Sequence, residues 1–357
     1  MEDRILFLHV GLHKTGTSAL QFHFMNNENA LANAGLLYPK TGRDTWGGHH
    51  LFFNCIKKQE YAHYKTESSF NDYIEELNKE SKNFKKVLLS SELLSEEIEL
   101  EQLTDLKKSF RKIKIIAFIR RQDRYLESSY SSFIRGGYVF TFKNYLKGRL
   151  VQYKDQLDKW ANIFGKENIE VHQYDKENFE NRSIFTYFLD LLDVEISEIK
   201  SENKRYNTSM NLDSLEFLRF FNLLNYRSKD LIEYCYNFSD FIRDADQKAT
   251  SLFSIEERQR VISEYQNENK LISSEYFREG NELFDDKLNS SESESIRYRG
   301  LTELSLDIIL KRQRSFNNKL FIELCDEVRR KTSIDMTAPQ GKENMIAFLY
   351  KNNWEPE

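Results

Sequence analysis

Four short runs of apolar residues, rich in β-branched side chains, stand out at residues 5–10, 86–89, 113–119 and 169–174. Each has the length of a strand and is apolar at consecutive positions, the mark of a strand buried on both faces of a parallel sheet. Between and around them, residues 17–33, 69–82, 123–135 and 153–164 repeat apolar side chains at intervals of three and four, which predicts helices packed on that sheet. Alternating strands and helices predict an α/β fold of three layers, α/β/α, around a central parallel sheet, with ligands at the carboxyl ends of the strands.

After about residue 207 the strand signal stops and helical periodicity takes over, at 212–224, 229–242, 255–276 and from about 301 to 330. Residues 285–295 are polar and serine-rich, a linker composition. The expected organisation is an α/β domain over 1–284, a linker over 285–297 and a helical carboxyl-terminal extension over 298–357.

The loop after the first run carries the densest chemistry. Gly11 and Gly16 let the backbone approach an oxyanion closely, and the amides that open the following helix point at it with the positive end of the helix dipole. Lys14, Thr15, Thr17 and Ser18 add one charge and three hydroxyls. A turn that needs glycine only for geometry accounts for Gly11 and Gly16 but leaves the Lys14-Thr-Gly-Thr-Ser18 cluster unexplained. The glycines have Walker A spacing, yet Thr17 stands where that loop has its lysine, and Lys14 comes three residues earlier.

A second constellation lies where the run 113–119 ends, at Arg120-Arg121, with Ser128 on the helical segment that follows. A magnesium-dependent nucleotidase needs a carboxylate at such a strand end, whereas an arginine with a nearby hydroxyl suits a phosphate held without metal. Two anion sites at neighbouring strand ends imply one ligand with two separated phosphates.

Together these residues resemble the sulfotransferases that use 3′-phosphoadenosine 5′-phosphosulfate (PAPS), in particular a bacterial branch with a P-loop-like fold. The loop Lys14-Thr-Gly-Thr-Ser18 resembles the family's 5′-phosphosulfate loop, and Arg120 with Ser128, followed by Tyr130, its 3′-phosphate motif. Gly35-Leu-Leu-Tyr-Pro39, His49-His50-Leu51, Ser90-Ser-Glu-Leu93, Asn207-Thr-Ser-Met210 and Asn267-Glu-Asn269 before Tyr276-Phe277 extend the likeness over about residues 4 to 280. Gln122 replaces the proline often found two residues after the arginine, and the pair Arg121 with Ser129 is the alternative register. The basic glycine-containing loop that closes over PAPS in many eukaryotic relatives has only a faint counterpart, Arg297-Tyr-Arg-Gly300.

The resemblance implies PAPS as sulfonate donor, no required metal, and a hydroxyl acceptor, with a carbohydrate or glycoconjugate as the expected kind. Lys14 then stabilises the leaving phosphate. Thr15, Gly16, Thr17 and Ser18 hold the 5′-phosphate, and Arg120 and Ser128 the 3′-phosphate. Glu92 is the first candidate for the base, because it follows the second strand about where cytosolic sulfotransferases carry their catalytic histidine; its plainer reading is a charge in the first turn of a helix. His50, in the loop Trp46-Gly-Gly-His-His-Leu51, is the second, since an imidazole titrates near 6.5. His9 and His13 read as packing or loop polar groups.

The remaining features narrow the partners. Against 57 acidic residues stand 52 basic ones, so no global basic field invites nucleic acid. Cys55, Cys235 and Cys325 are widely spaced, and no His-x-x-x-His pair falls on a helical segment, which argues against a disulfide scaffold and a zinc site. The amino terminus runs directly into the first strand and no apolar run reaches membrane-spanning length, so a cytoplasmic protein is expected. Arg124, Arg135 and Arg149 read as solvated charges or contacts to an anionic acceptor. The aromatic groups at 52–53, 217–221 and 234–238 read as core. Two other functions fit the same fold: a P-loop nucleotide-dependent kinase, which needs Mg²⁺ and a lysine beside Thr17, and a non-catalytic scaffold.

Overall fold

Five parallel strands organise the first part of the chain: β1 (Ile5–Val10), β2 (Leu36–Leu37), β3 (Lys86–Ser91), β4 (Lys112–Ile119) and β5 (Ile169–Gln173), in the order β2-β3-β1-β4-β5. The computed structural model describes residues 3–12, 14–174, 183–196, 199, 210–243, 250–277 and 282–351; His13 and residues 207–209 of the motif ending at Met210 lie outside these. From β1 the chain runs to β2 and β3 on one side, then crosses to β4 and β5 on the other. The carboxyl ends of β1 and β4 therefore flank the topological switch point, where doubly wound sheets bind ligands.

Side-chain alternation sorts the strand residues onto two faces. Phe7, Leu88, Ile116 and Phe118 pack with Leu20 and Phe24 of helix α1 (Thr17–Asn26), Leu31 of α2 (Glu28–Asn33), and Phe185, Phe188 and Leu189 of helix Ile184–Leu191. The opposite face takes helix Tyr153–Phe164, which packs on β4 and β5 and buries Leu157, Trp160 and Phe164. Helices on both faces make this the expected three-layer α/β/α architecture. Each such aromatic or leucine withdrawn from water contributes about 1.5–3 kcal/mol.

Local chemistry moves several boundaries. The helix expected over 17–33 breaks at Asn27, whose side-chain amide donates to the His23 carbonyl (2.9 Å) and competes with helix continuation. Helix Phe70–Glu80 starts after Ser69, in a capping box with Asp72. β3 runs two residues past the expected 86–89, because Ser90 and Ser91 pair with His9 and Val10 although hydropathy hides them.

Two compact units divide the chain: Met1–Arg121, Val151–Asn207 and Tyr265–Asp285 form the first, and Gln122–Leu150, Thr208–Glu264 and Asp286–Glu357 the second. This composition differs from a linear division at 284 and 298. The second unit is largely helical, with Phe217, Phe220, Phe221, Tyr234, Leu306, Leu324 and Val328 in its core. It also holds a parallel pair, β6 (Thr250–Ser251) and β7 (Ile296–Arg297), where no strand was expected. The polar segment read as a linker thus contains helix Ser290–Ser293, capped by Asn289 with Glu292, and β7. The helix expected over 301–330 is two, Glu303–Phe316 and Asn318–Thr332, because Asn317 leaves helical geometry and its side chain accepts from the Leu320 amide (3.0 Å).

Candidate active site

The register of the sheet assembles the first unit's site. Val10 pairs with Ser91 on one side and Ala117 on the other, and the Gly11 amide donates to the Ser91 carbonyl (3.2 Å). Glu92, the first residue after β3, thereby comes to lie beside the glycine that opens the loop. A Cβ on Gly11 would stand 2.5 Å from Thr17 Cγ2, 2.8 Å from Thr17 Oγ1 and 3.0 Å from Glu92 Cγ, so only glycine fits.

The loop between β1 and α1 has an unusual backbone at its described residues. Lys14 (φ 70°) and Gly16 (φ 75°) both have positive φ, a backbone feature of anion-binding nests. Lysine is disfavoured there, by about 1–2 kcal/mol against an ordinary backbone conformation. Gly16 is the N-cap of α1 and has no side chain to cap its first amides. Thr15 is buried and its hydroxyl donates to the Leu12 carbonyl (2.5 Å), bracing the loop from within. The Thr17 hydroxyl is buried with no hydrogen-bond partner among the described residues. Such an orphan costs about 1–3 kcal/mol unless a ligand satisfies it. Ser18 is exposed on the first turn of α1.

On the other flank of β1, Arg120 follows β4. Its guanidinium lies over the Tyr174 ring, 5.8 Å from the centroid, and the same ring edge would stand 2.8 Å from a Cβ on Gly16. Tyr174 therefore touches both the loop and Arg120. Its backbone amide fixes it there by donating to the Ile119 carbonyl (2.7 Å). The Tyr153 hydroxyl donates to the Arg120 carbonyl (3.0 Å). Arg121 points elsewhere: it is buried, and its guanidinium donates to the Asp285 carbonyl (3.3 Å). Ser128 and Ser129 are on helix Gln122–Arg135 of the second unit, Ser128 half-buried and Ser129 buried.

The two histidines of the 44–50 turn have different environments. His49 is buried; its Nε2 donates to the Pro39 carbonyl (3.0 Å) and its Nδ1 accepts from the Ser90 amide (3.1 Å). Burial pushes it down to about 3, so this ring is a neutral strut pinning the turn to β3. His9 is likewise buried, bonded to Ser90 Oγ (2.8 Å) and packed against Phe118 and Phe188; burial lowers it to about 3 against the pull of Glu92. His50 instead pairs through Nδ1 with Asp44 Oδ2 (2.7 Å) and stacks on Tyr64, with centroids 4.9 Å apart and planes 9° from parallel. Burial, with the charges of Asp44, Glu92 and Glu96, raises the Tyr64 hydroxyl to about 12, which places Tyr64 in the field of both His50's partner and the other candidate base.

Of the nominated residues, Lys14, Thr15, Gly16, Thr17, Ser18, Glu92, His50 and Arg120 all belong to the first unit. Asp44, Tyr64 and Tyr174 escaped the sequence reading. Asp44 had a signal, a side-chain acceptor two residues before the amide of Trp46 in a Gly-Gly turn; Tyr64 and Tyr174 had none. Arg124 pairs with Glu292 (2.7 Å), Arg135 donates to Ser132 Oγ (2.6 Å), and Arg149 lies 4.1 Å over Tyr145, so all three are engaged within the second unit. Phe52 and Phe53 are fully buried, as core. Among the described residues there is no group of three potential metal ligands, no helix long and apolar enough to cross a membrane, and all three cysteines are free.

No family model matches the chain. It is similar to an uncharacterized protein of Archaeoglobus fulgidus, 24% identical over 206 residues that make up 56% of this chain and 55% of the other. The chain thus spans about half the length of that curated relative. A solved sulfotransferase from Alicyclobacillus acidocaldarius matches 63% of this chain and 97% of its own, at 15% identity and a TM-score of 0.38.

Proposed function

We propose that the chain is a PAPS-dependent sulfotransferase acting on a hydroxyl, with a carbohydrate or glycoconjugate as acceptor. The observation that supports this reading is the Tyr174 ring lying beside both Gly16 and Arg120, the residues proposed for the two phosphates. The orphaned Thr17 hydroxyl and the left-handed backbone at Lys14 and Gly16 fit a 5′-phosphosulfate. When bound, PAPS supplies the sulfonate: its sulfur gains a bond to the acceptor oxygen and loses the bond to the bridging oxygen, leaving adenosine 3′,5′-bisphosphate.

Each residue then has a task. Gly16, Thr17 and Ser18 hold the 5′-phosphate with the first amides of α1, and Thr15, whose hydroxyl is bonded to the Leu12 carbonyl, contributes through its backbone. Lys14 places its ammonium where negative charge grows on the bridging oxygen. Arg120 supplies the charge for the 3′-phosphate. The acceptor's proton goes to Glu92 or His50. Incubating the chain with PAPS labelled in its sulfonate and a panel of glycans tests the reading. Label must appear on a glycan hydroxyl; label that stays on the donor or passes only to water contradicts it.

A further inference from the structure

We infer that Asp44 is a positioning residue: it holds His50 as the tautomer protonated at Nδ1 and leaves Nε2 as the proton acceptor of the site. This rests on the reading above for what the proton comes from. The Asp44 and His50 side chains are only 7% and 9% exposed, and Oδ2 meets Nδ1 at 2.7 Å. The other carboxylate oxygen, Oδ1, accepts from the backbone amides of Trp46 (2.8 Å) and Gly48 (3.1 Å), so the carboxylate cannot rotate away from the ring. The ring occupies the place of a side chain on Gly48: a Cβ there would stand 2.1 Å from His50 Cε1 and 2.3 Å from Nδ1. Gly47, at φ 95°, is equally constrained, since its Cβ would meet the Gln21 carbonyl oxygen at 2.7 Å. Gly48 is thus what the carboxylate-clamped imidazole requires of the chain, and Gly47 what the close approach of Gln21 requires.

A carboxylate acts on an imidazole in two ways. It selects the tautomer, and it stabilises the imidazolium formed when the free nitrogen takes a proton. As the acceptor oxygen bonds to sulfur and the bridging oxygen departs, its proton passes to Nε2, and the positive charge on the ring faces Asp44. The titratable groups around the ring are Asp44 on its own turn, the neutral His49 beside it and Tyr64 stacked on it; Glu92 and Glu96 act on Tyr64. Burial opposes the charge on Asp44, but the His50 ring and the two amides more than offset this and hold its carboxyl below the ordinary value.

Asp44→Asn is the informative change. The two backbone amides keep the carbonyl oxygen on their side, so the new NH₂ group faces His50 Nδ1 and forces the ring's proton to Nε2. Long-range ¹H–¹⁵N NMR on the full chain reads the tautomer directly, with the His50 signals among the seven histidines assigned by their loss in His50→Gln. In the wild type at pH 8, Nδ1 is expected protonated and Nε2 bare; in Asp44→Asn the two exchange. Turnover should fall roughly 10²–10⁴-fold, with adenosine 3′,5′-bisphosphate affinity unchanged. A wild-type ring protonated at Nε2 overturns the inference without need of any variant, as does an unchanged tautomer or unchanged turnover in Asp44→Asn. Failure of the wild type to bind the bisphosphate better than AMP would instead overturn the sulfotransferase reading, while the NMR result still decides the pair.

Discussion

Glu92 Cγ lies 3.0 Å from the point where a Cβ on Gly11 would be, so the residue after β3 and the residue after β1 share one wall of the anion loop. That same Cβ would also strike Thr17, whose branched side chain is restricted at χ1 and has little room to step aside. Gly11→Ala should therefore cost about 1–3 kcal/mol in stability, the range for overpacking. It should also weaken bisphosphate binding, because relief comes by moving Thr17. Urea unfolding and calorimetry check both; wild-type values in both would mean that the loop has more room than its geometry shows.

Glu92 and His50 are separable by substitution. Whichever is the base, its loss should lower turnover by about 10²–10⁴-fold with bisphosphate binding intact. With the Asp44–His50 pair as acceptor, His50→Ala carries that loss, and Glu92→Gln, which keeps size but removes charge, changes turnover by less than tenfold. The reverse pattern in steady-state kinetics returns the role to Glu92.

Lys14→Ala should lower turnover by hundreds-fold, about 3–4 kcal/mol of transition-state stabilisation, while bisphosphate affinity falls far less. The left-handed backbone at Lys14 adds a control. Lys14→Gly relieves that strain and should leave the fold at least as stable as Lys14→Ala, with the same loss of turnover. Equal losses of affinity and turnover in both would make Lys14 a ground-state anchor.

Stability should fall in mild acid. His9 and His49 are held near 3 when folded and titrate near 6.5 when unfolded, so the unfolded chain binds more protons between those values. Their stabilising contribution is complete above 6.5 and is lost as pH falls through that window, by about 1.4 kcal/mol per pH unit for each ring. Urea midpoints at pH 7.5 and 5 should show the drop, and His9→Gln should remove about half of it. A flat profile over this range contradicts the burial of the two rings.

What could be read from the chain alone followed its periodicity. Runs such as 113–119 announce themselves because two buried faces demand consecutive apolar residues, and helix Tyr153–Phe164 because one buried face demands a 3.6-residue repeat. β2 and β6 are two residues long and have no period to detect. Asn27 and Asn317 interrupt helices through side-chain bonds that hydropathy does not weigh. The loop 11–18 was legible because glycine, lysine and hydroxyl residues crowd into eight positions. Tyr174 beside it and Tyr64 stacked on His50 were not, since a tyrosine after a strand or in a loop has the same sequence signature whether it packs, stacks or does nothing. The difference between His49 and His50 was equally invisible, because it lies in which ring meets Ser90 and Pro39 and which meets Asp44.

If the loop and the strand-end arginine form one site for a ligand with two separated phosphates, calorimetry must separate adenosine 3′,5′-bisphosphate from AMP. One charge-assisted contact is worth about 1.5–3 kcal/mol, so the wild type should bind the bisphosphate roughly tenfold to over a hundredfold more tightly. Arg120→Ala should erase most of that preference, whereas Arg121→Ala, which loses its bond to the Asp285 carbonyl, should keep it at reduced stability. Equal affinity of the wild-type chain for AMP and the bisphosphate would contradict the account.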